Sequence, residues 1–296
     1  MRGKSILYIM KHLFPILVLI LASCTRVAPT YEGLGALSPK QDSINRVIYQ
    51  RVYDQVSDYS DLPIHELTIR IAEQFLGTDY VAYTLEHEPE HLLVYLDQTD
   101  CILFVEMCSC FALTVKDAHP SYELLLHNIQ QMRYRNGVVD GYASRVHYTS
   151  EWIQQNQARG VMREITHELG GVEHPQEFYF MTAHRESYPQ LLHDTAAVAI
   201  IRSVEQRLQA AGPYYRLTQE QLYDTAIMSQ IQSGDIVTFI DTHPGLDLAH
   251  VALAYEVDGE MHFIHASYGA KHVIVEPCTL AEYARNGIRV FRFNEK

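Results

Sequence analysis

The sequence predicts an α+β fold, with helices in most of the chain and an antiparallel sheet in its final third. Apolar residues recur with helical spacing in several segments up to about residue 230. Five strand-like runs rich in Val, Ile and aromatic residues then follow at short intervals. Helices and strands segregated along the chain in this way are typical of α+β domains. Without its leader the chain has roughly 270 residues, enough for one large domain or two small ones.

The first 23 residues have the pattern of a bacterial export signal. Three basic side chains precede an apolar core, residues 13–22, which is shorter than the ~20 residues that a membrane span needs. The core ends in Leu-Ala-Ser-Cys, which resembles the lipobox of bacterial lipoproteins. We expect cleavage before Cys24, diacylation of its thiol, and a tether over residues 24–40. An ordinary secretory signal and an uncleaved anchor are the alternatives.

Charge and lipidation together limit the partners that the mature protein can have. Two acyl chains on Cys24 would hold it at a membrane surface. We therefore expect a lipid-anchored monomer of the bacterial cell envelope that faces the periplasm. The net charge of −13 becomes −16 once the signal is removed, and no basic stripe with interleaved aromatic residues occurs. A nucleic-acid partner is therefore not expected.

The first half of the chain predicts helices around one central helix. Residues 41–76 have helical spacing, and Gly77 ends this region. A loop then leads towards a short β stretch. The central helix lies in residues 97–111, with Cys101 in its first turn and either Thr99 or Asp100 as its N-cap. Its predicted buried face consists of Phe104, Val105, Cys108, Phe111 and Ala112.

Cys101 is the candidate nucleophile because of its place at the start of this helix. The positive end of the helix dipole favours a thiolate, whereas Asp100 opposes it, so a base from elsewhere in the chain is needed. The alternative is an ordinary buried cysteine. Cys101, Cys108 and Cys110 lie too close on one helix to bridge each other. One disulfide to Cys278 is possible, and free buried thiols are the favoured expectation.

The elements after the central helix alternate between helices and turn-rich segments. Residues 136–150 are turn-rich and polar, and residues 161–180 contain two predicted strands, VMREITHEL and EFYF. The predicted helices are residues 121–135, one that opens at residues 150–152, 184–211 and 218–230. The five final strand-like runs are GDIVTFIDT, AHVALAYEV, EMHFIHAS, KHVIVEP and IRVFRF.

A predicted hairpin brings two histidines together. Asp258-Gly259 between two alternating runs is a strong signal for a two-residue turn. That turn pairs residue 257 with residue 260, so His250 and His265 become diagonal neighbours on one face, about 7–8 Å apart at the backbone. His262 faces the other side. A loop of odd length would reverse this assignment.

Two adjacent imidazoles supply what a cysteine nucleophile requires, namely a base and a group that orients it. Chance placement is the alternative in a chain with 16 histidines. A metal or cofactor is not expected. The run that begins at His167 lacks the second histidine of a zinc H-E-x-x-H motif, and no G-x-S-x-G motif or P-loop occurs.

These residues, in this order, resemble the NlpC/P60 peptidoglycan hydrolases, which are papain-like cysteine peptidases. The family has a G-T-P-Y loop, an Asp-Cys pair, an H-V-G-I strand and an F-I/V-H-A-S strand. The matching residues here are Gly77-Thr78-Asp79-Tyr80, Asp100-Cys101, His250-Val251-Ala252-Leu253 and Phe263-Ile264-His265-Ala266-Ser267.

The chain more closely resembles the branch called DUF1460, the AmiA-like N-acetylmuramoyl-L-alanine amidases. The shared motifs are D-C-x-x-F-V-E from Asp100, S-R-x-H-Y from Ser144 followed by Trp152, and the G-D-I strand at Gly234. The resemblance implies a papain-like NlpC/P60 core, in which the cysteine helix packs on an antiparallel sheet. We expect it to form a single domain over residues 41–296, with a largely helical elaboration at about residues 120–230.

The resemblance also implies a function and a set of site residues. Cys101 would attack the lactyl–L-Ala amide of a muropeptide, possibly one with a 1,6-anhydro sugar, with His250 as base and His265 as its orienting group. Tyr80 would help to bind the oxyanion. The residues expected to bind substrate are Asp100, Ser144, Arg145, His147 and Tyr148. The alternatives are a γ-D-Glu-diaminopimelate endopeptidase and a non-catalytic muropeptide-binding lipoprotein.

Overall fold

The computed structural model describes residues 38–295, and ten α-helices occur in that range. The first four pack together, and the third of them begins at Cys101. The helices are α1 (Pro39–Val56), α2 (Ile64–Glu73), α3 (Cys101–Val115), α4 (Tyr122–Arg133), α5 (Thr149–Ala158), α6 (Phe180–Ala183), α7 (Thr195–Ala210), α8 (Gln219–Leu222), α9 (Thr225–Met228) and α10 (Leu280–Tyr283). The predicted export signal, Cys24 and most of the tether lie outside the described residues and stay predictions.

Ten strands form one large sheet and one small sheet in the described part of the chain. They are β1 (Asp79–Tyr80), β2 (Gln98–Thr99), β3 (Met162–Glu164), β4 (Val172–His174), β5 (Tyr214–Arg216), β6 (Ile236–Ile240), β7 (Leu248–Val257), β8 (Glu260–Ser267), β9 (His272–Val275) and β10 (Ile288–Phe293). The eight-stranded sheet has the order β2-β1-β9-β8-β7-β6-β10-β3, and β4 pairs with β5.

The final third of the chain forms the centre of the large sheet, as predicted. Strands β6 to β9 are successive antiparallel neighbours, and β10 pairs with β6 on the other side. The Asp258-Gly259 turn gives the predicted register, with Val257 opposite Glu260. Asp258 and Gly259 both have positive φ, +52° and +86°, which explains why Asp-Gly suits this turn. The sheet is mixed because β1 and β2 are parallel.

Two layers cover the two faces of the large sheet. Helices α1 to α4 pack on one face, where Phe104, Phe111 and Leu253 belong to one buried cluster. The opposite face carries a second buried cluster, which includes Ala252 and Phe263 together with side chains of α8 and α10. Since side chains alternate along a strand, neighbouring residues of β7 and β8 contribute to different clusters.

The elaboration at residues 120–230 contains strands as well as the expected helices. Its strand β3 joins the edge of the large sheet beside β10, and β4 and β5 form a sheet of their own. A third buried cluster lies under α7. The predicted strand EFYF is wrong, because residues 177–179 have no regular structure and Phe180 begins the short helix α6. The helix predicted for residues 184–211 begins only at Thr195, and the one predicted for 218–230 is divided into α8 and α9. The remaining predicted elements occur near their expected positions.

Four cysteines lie within residues 38–295. Cys101, Cys108, Cys110 and Cys278 are all free thiols, and Cys108 and Cys110 are buried. This outcome matches the expectation of free thiols, although Cys278 is only half-buried. Between residues 38 and 295, no helix has both the length and the apolar character needed to cross a bilayer.

Candidate active site

Asp100 fixes the start of α3 and so determines where Cys101 lies. The Asp100 side chain accepts a hydrogen bond from the backbone amide of Leu103, at 2.9 Å, which is the geometry of an N-cap. Of the two predicted N-cap residues, Asp100 has this role. The hydroxyl of Thr99 donates instead to the Asp100 carbonyl. Cys101 is therefore the first residue of the helix.

The Cys101 thiol is neutral in the folded protein. Burial is the largest effect and the Asp100 carboxylate adds to it, so that the pKa of Cys101 is raised to about 12. The backbone amides of Val251, Ile102 and Cys101 itself face the sulfur and oppose this rise. The stabilisation of a thiolate expected from the helix dipole is thus outweighed by desolvation. A base must take the proton if this thiol is to act as a nucleophile.

The two predicted histidines are in direct contact. His250 Nε2 lies 2.7 Å from His265 Nδ1, and the two rings are nearly perpendicular, with centroids 4.9 Å apart. His265 is almost completely buried, at 2% exposure. His262 points elsewhere, towards the carbonyl oxygens of Glu276 and Cys278. The prediction from the hairpin register is therefore confirmed.

Both imidazoles are neutral at physiological pH. Burial, and then the neighbouring His265, lower the pKa of His250 to about 3. Burial also lowers the pKa of His265, although the Glu276 carboxylate opposes that effect. A neutral imidazole is the protonation state that a general base requires.

Cys101 lies next to the strand that carries His250. Helix α3 packs on the face that carries Val251 and Leu253, whereas His250 projects to the opposite face, where its ring stacks on Phe239. The Val251 amide, next to His250 in the chain, faces the sulfur. The structure records no hydrogen bond between Cys101 and His250 among the described residues. Catalytic hydrogen bonds often form only once substrate is bound.

Two cavities flank this group of residues. The cysteine-side cavity, of about 340 Å³, is lined by Cys101 together with Tyr80, Asp100 and Arg145. The histidine-side cavity, of about 480 Å³, is lined by His250 and His265 together with Tyr268 and Tyr283. Tyr80 of the first cavity contacts Tyr268 of the second edge to face, with ring centroids 5.6 Å apart. The two cavities are therefore adjacent along the molecule.

A buried ion pair supports the floor of the cysteine-side cavity. Arg133 of α4 donates through Nε and Nη2 to Glu106 of α3, and its Nη1 donates to the Leu93 carbonyl. Both side chains are buried, and both line the cavity. Glu106 belongs to a motif noted in the sequence, but its pairing with Arg133 was not predicted.

The predicted substrate-binding residues fall into two groups. Tyr80, Asp100, Arg145 and His147 line the cysteine-side cavity. Ser144 does not line it, and its hydroxyl bonds within its own turn, to Gly141 and Asp140.

Tyr148 also lies outside the cavity lining. It is buried in the elaboration, where its hydroxyl donates to Glu205 and accepts from the Met181 amide. Burial raises its pKa, so the hydroxyl stays protonated. These contacts belong to the third buried cluster rather than to a cavity surface.

Arg145 and His147 have protein partners in this structure. Arg145 Nη2 donates to Glu86 at 2.9 Å, while its buried Nε has no hydrogen-bond partner. His147 Nε2 lies 2.9 Å from the Tyr142 carbonyl, and burial lowers the pKa of this histidine well below its usual value. That Nε nevertheless lies 3.5 Å from Glu90 Oε1, within ion-pair range, so Arg145 is paired with two carboxylates. His147 is a neutral group held in place.

Two site residues were missed by the sequence reasoning. Glu276 contacts His265, and Tyr283 packs edge to face on the same ring. Counting register across the second hairpin, from β8 to β9, would have placed Glu276 near His265. Within residues 38–295 there is no group of three or more His, Cys, Asp or Glu side chains arranged to hold a metal ion.

Residues 70–288 match the family model AmiA-like, described as N-acetylmuramoyl-L-alanine amidase-like. This match covers well over half of the chain. No curated protein matches the sequence.

Solved structures similar to this chain include amidases from Bacteroides uniformis. Crystal structures of an N-acetylmuramoyl-L-alanine amidase from that organism match with 29% and 31% identity and TM-scores of 0.71 and 0.70. The matches cover 78% and 76% of this chain and 99% and 97% of the other. A Legionella pneumophila protein of family DUF1460 shares the fold, with 19% identity, a TM-score of 0.62, and coverage of 86% and 95%.

Proposed function

The chain belongs to the AmiA-like family, N-acetylmuramoyl-L-alanine amidase-like, and from that premise we propose that it is a cysteine amidase of peptidoglycan fragments. The bond cleaved is the amide between the lactyl group of muramic acid and L-Ala, and the substrate is a muropeptide. The core is then of the papain-like NlpC/P60 type. The observation that carries this proposal is the contact between His250 and His265, one residue from the Val251 amide that faces the Cys101 sulfur.

Acylation in this proposal begins with proton transfer to His250. Since Nε2 of His250 is bonded to His265, Nδ1 is the ring atom left to take the Cys101 proton. The sulfur attacks the lactyl carbonyl carbon, and the tetrahedral oxyanion accepts hydrogen bonds from the Cys101 amide and the Tyr80 hydroxyl. Burial raises the pKa of Tyr80 to about 12, so its hydroxyl keeps the proton that it must donate.

Collapse of the tetrahedral intermediate breaks the carbon–nitrogen bond. His250 returns its proton to the L-Ala nitrogen, and the stem peptide leaves as an amine. The lactyl group remains on Cys101 as a thioester. Water, deprotonated by His250, then attacks the thioester carbonyl. This step releases the lactyl carboxylate and restores the thiol.

The two cavities suggest how the substrate lies. We place part of the muropeptide in each, so that the scissile amide crosses between Tyr80 and Tyr268. Asp100 and Arg145, which line the cysteine-side cavity, then contact the part that lies there. Ser144 and Tyr148 do not line that cavity in this structure, so any contact they make with substrate requires a rearrangement.

Digestion of a defined disaccharide-tetrapeptide, followed by mass spectrometry, tests the proposal. We expect free disaccharide and intact tetrapeptide from the wild-type protein and from His272→Ala, whose exposed histidine serves as the matched control. Cys101→Ala and His250→Ala should give neither product. Cleavage after D-Glu would instead identify an endopeptidase, and this is the second candidate function.

A non-catalytic muropeptide-binding protein would give a different outcome. In that case no digestion product forms, and Cys101→Ala binds muropeptide as the wild type does. We also propose that the protein is lipid-anchored in the bacterial envelope, on the basis of the sequence before Cys24. Palmitate labelling that persists in Cys24→Ser would contradict the anchor.

A further inference from the structure

Glu276 extends the pair of histidines into a chain of three side chains. Glu276 Oε2 lies 3.1 Å from His265 Nε2, and the other ring nitrogen of His265 contacts His250. Glu276 follows β9 directly, and its backbone amide donates to the Phe263 carbonyl. That pairing places it diagonally across from His265 on the same face of the sheet. Its side chain is 16% exposed.

The carboxylate determines which nitrogen of each ring carries a proton. An ionised carboxylate can only accept hydrogen bonds, so His265 Nε2 must be the protonated nitrogen and its Nδ1 the acceptor. His250 Nε2 must then donate to that Nδ1. This leaves a lone pair on His250 Nδ1, which is the atom that takes the thiol proton in the proposed function.

We propose that Glu276 is a positioning residue, which fixes the tautomers of His265 and His250 and stabilises the positive charge that His250 acquires. This inference rests on the proposed function and adds a fourth residue to it. In a catalytic triad the carboxylate contacts the histidine that acts as base. Here Glu276 would have the same role, but it contacts His265, and His265 in turn contacts the base His250.

A second contact holds the Glu276 carboxylate in this orientation. Its other oxygen, Oε1, accepts from the Cys278 thiol at 3.3 Å. Burial, and then this carboxylate, raise the pKa of Cys278 to about 11, so the thiol keeps its proton and remains a donor. One oxygen of Glu276 therefore contacts His265, and the other accepts a hydrogen bond from the neutral Cys278 thiol.

The other groups around the two imidazoles bring no negative charge near them at neutral pH. Tyr283 packs against His265, and burial raises the pKa of its hydroxyl. The Cys101 thiol is neutral, and Arg285 lines the histidine-side cavity. Glu276 raises the pKa of His265 against the larger effect of burial. Its loss therefore lowers the pKa of the pair further.

Glu276→Gln removes this charge while keeping the shape of the side chain. On a muropeptide substrate we expect kcat to fall about 10- to 100-fold, the range found when the outer partner of a metal-bound histidine is removed. KM should stay within about twofold of wild type because Glu276 does not line either cavity. The acid limb of kcat/KM should move to lower pH. Glu260→Gln makes the same change at the exposed turn end of β8 and should alter none of these.

¹⁵N NMR of the histidine rings tests the same inference without substrate. In the wild type, His265 and His250 should both carry their proton on Nε2, and Glu276→Gln should populate the other tautomer. This measurement remains informative if the variant folds poorly, because the wild-type spectrum alone reports the tautomers. A purely structural role for Glu276 would lower the melting temperature but would leave the acid limb and the tautomers in place.

The two proposals can fail separately. If the wild type cleaves no muropeptide but shows the expected tautomers, the proposed function fails and the assignment of Glu276 stands. If muropeptide is cleaved while Glu276→Gln leaves kcat and the acid limb unchanged, the assignment of Glu276 is overturned. A wild-type His265 protonated on Nδ1 would overturn it as well.

Discussion

At the scale of single residues, the problem for this site is that the candidate nucleophile is poorly ionised. The pKa of Cys101 is about 12 and that of His250 about 3, so neither group is charged at neutral pH. Burial thus favours the neutral thiol and the neutral imidazole over a thiolate–imidazolium pair. Proton transfer must accompany attack, and the geometry around His250 must make that transfer possible.

Alkylation by iodoacetamide at pH 7 tests whether His250 activates Cys101. We expect Cys101 to be labelled faster than Cys278 even though its pKa, about 12, is above the value of about 11 for Cys278. The reason is that His250 can take the thiol proton during the reaction. His250→Ala should slow labelling of Cys101 by roughly 10-fold or more, since general-base assistance is typically worth 10²–10⁴.

The matched control for the labelling experiment is His272→Ala, which removes an exposed histidine from β9. Rates can be read for each cysteine by peptide mass spectrometry, and the buried Cys108 and Cys110 should remain unlabelled. Equal labelling of Cys101 and Cys278, or an unchanged rate in His250→Ala, would remove the support for His250 as the base.

At the scale of elements, one buried ion pair joins α3 and α4 within a larger apolar contact. The side chains of Arg133 and Glu106 are 7% and 3% exposed, and Arg133 also donates to the Leu93 carbonyl. Burial raises the pKa of Glu106, whereas Arg133 lowers it. Arg133 thus favours the ionised form of a carboxyl group whose pKa burial raises. This pair holds in place the helix that begins at Cys101.

Removing one member of that pair should be costly. Arg133→Met leaves the Glu106 carboxyl buried without its partner, and we expect a loss of about 3–5 kcal/mol in the free energy of unfolding. Arg133→Met combined with Glu106→Met should lose less than either single variant, because no buried charge remains. Urea titration measures all three, and Arg163→Ala, which breaks an exposed pair with Glu168, should lose at most about 1 kcal/mol. A double variant less stable than both singles would contradict this account.

The elements that could be predicted are those whose signals are local. Asp258-Gly259 sets the register of β7 and β8, so the meeting of His250 and His265 followed from counting. The pairing of β3 with β10 could not be predicted, because it joins residues far apart in the chain. Nothing in the sequence of either strand specifies which strand it pairs with. The run EFYF has strand-forming residues, yet it is not a strand. Phe178 packs in the third buried cluster and Phe180 opens a helix.

At the scale of the whole molecule, Arg289 connects the large sheet to the elaboration. It lies on β10, is 3% exposed, and donates through Nε and Nη2 to Glu164 of β3. Its Nη1 donates to the Ser150 hydroxyl at the start of α5. One side chain thus links the sheet, its edge strand and the elaboration. These contacts predict that the elaboration and the core unfold together.

Arg289→Met tests this coupling by thermal unfolding. We expect a loss of about 2–3 kcal/mol, less than for a fully buried pair because the Glu164 side chain is 23% exposed. For a chain of this size that is a decrease of roughly 4–10 °C in Tm. Since β3 remains paired with β10 through backbone hydrogen bonds, the variant should still unfold in one transition. Arg163→Ala, which breaks an exposed pair with Glu168, should leave Tm unchanged. Two separate transitions in the wild type or in Arg289→Met would show that the elaboration is an independent folding unit.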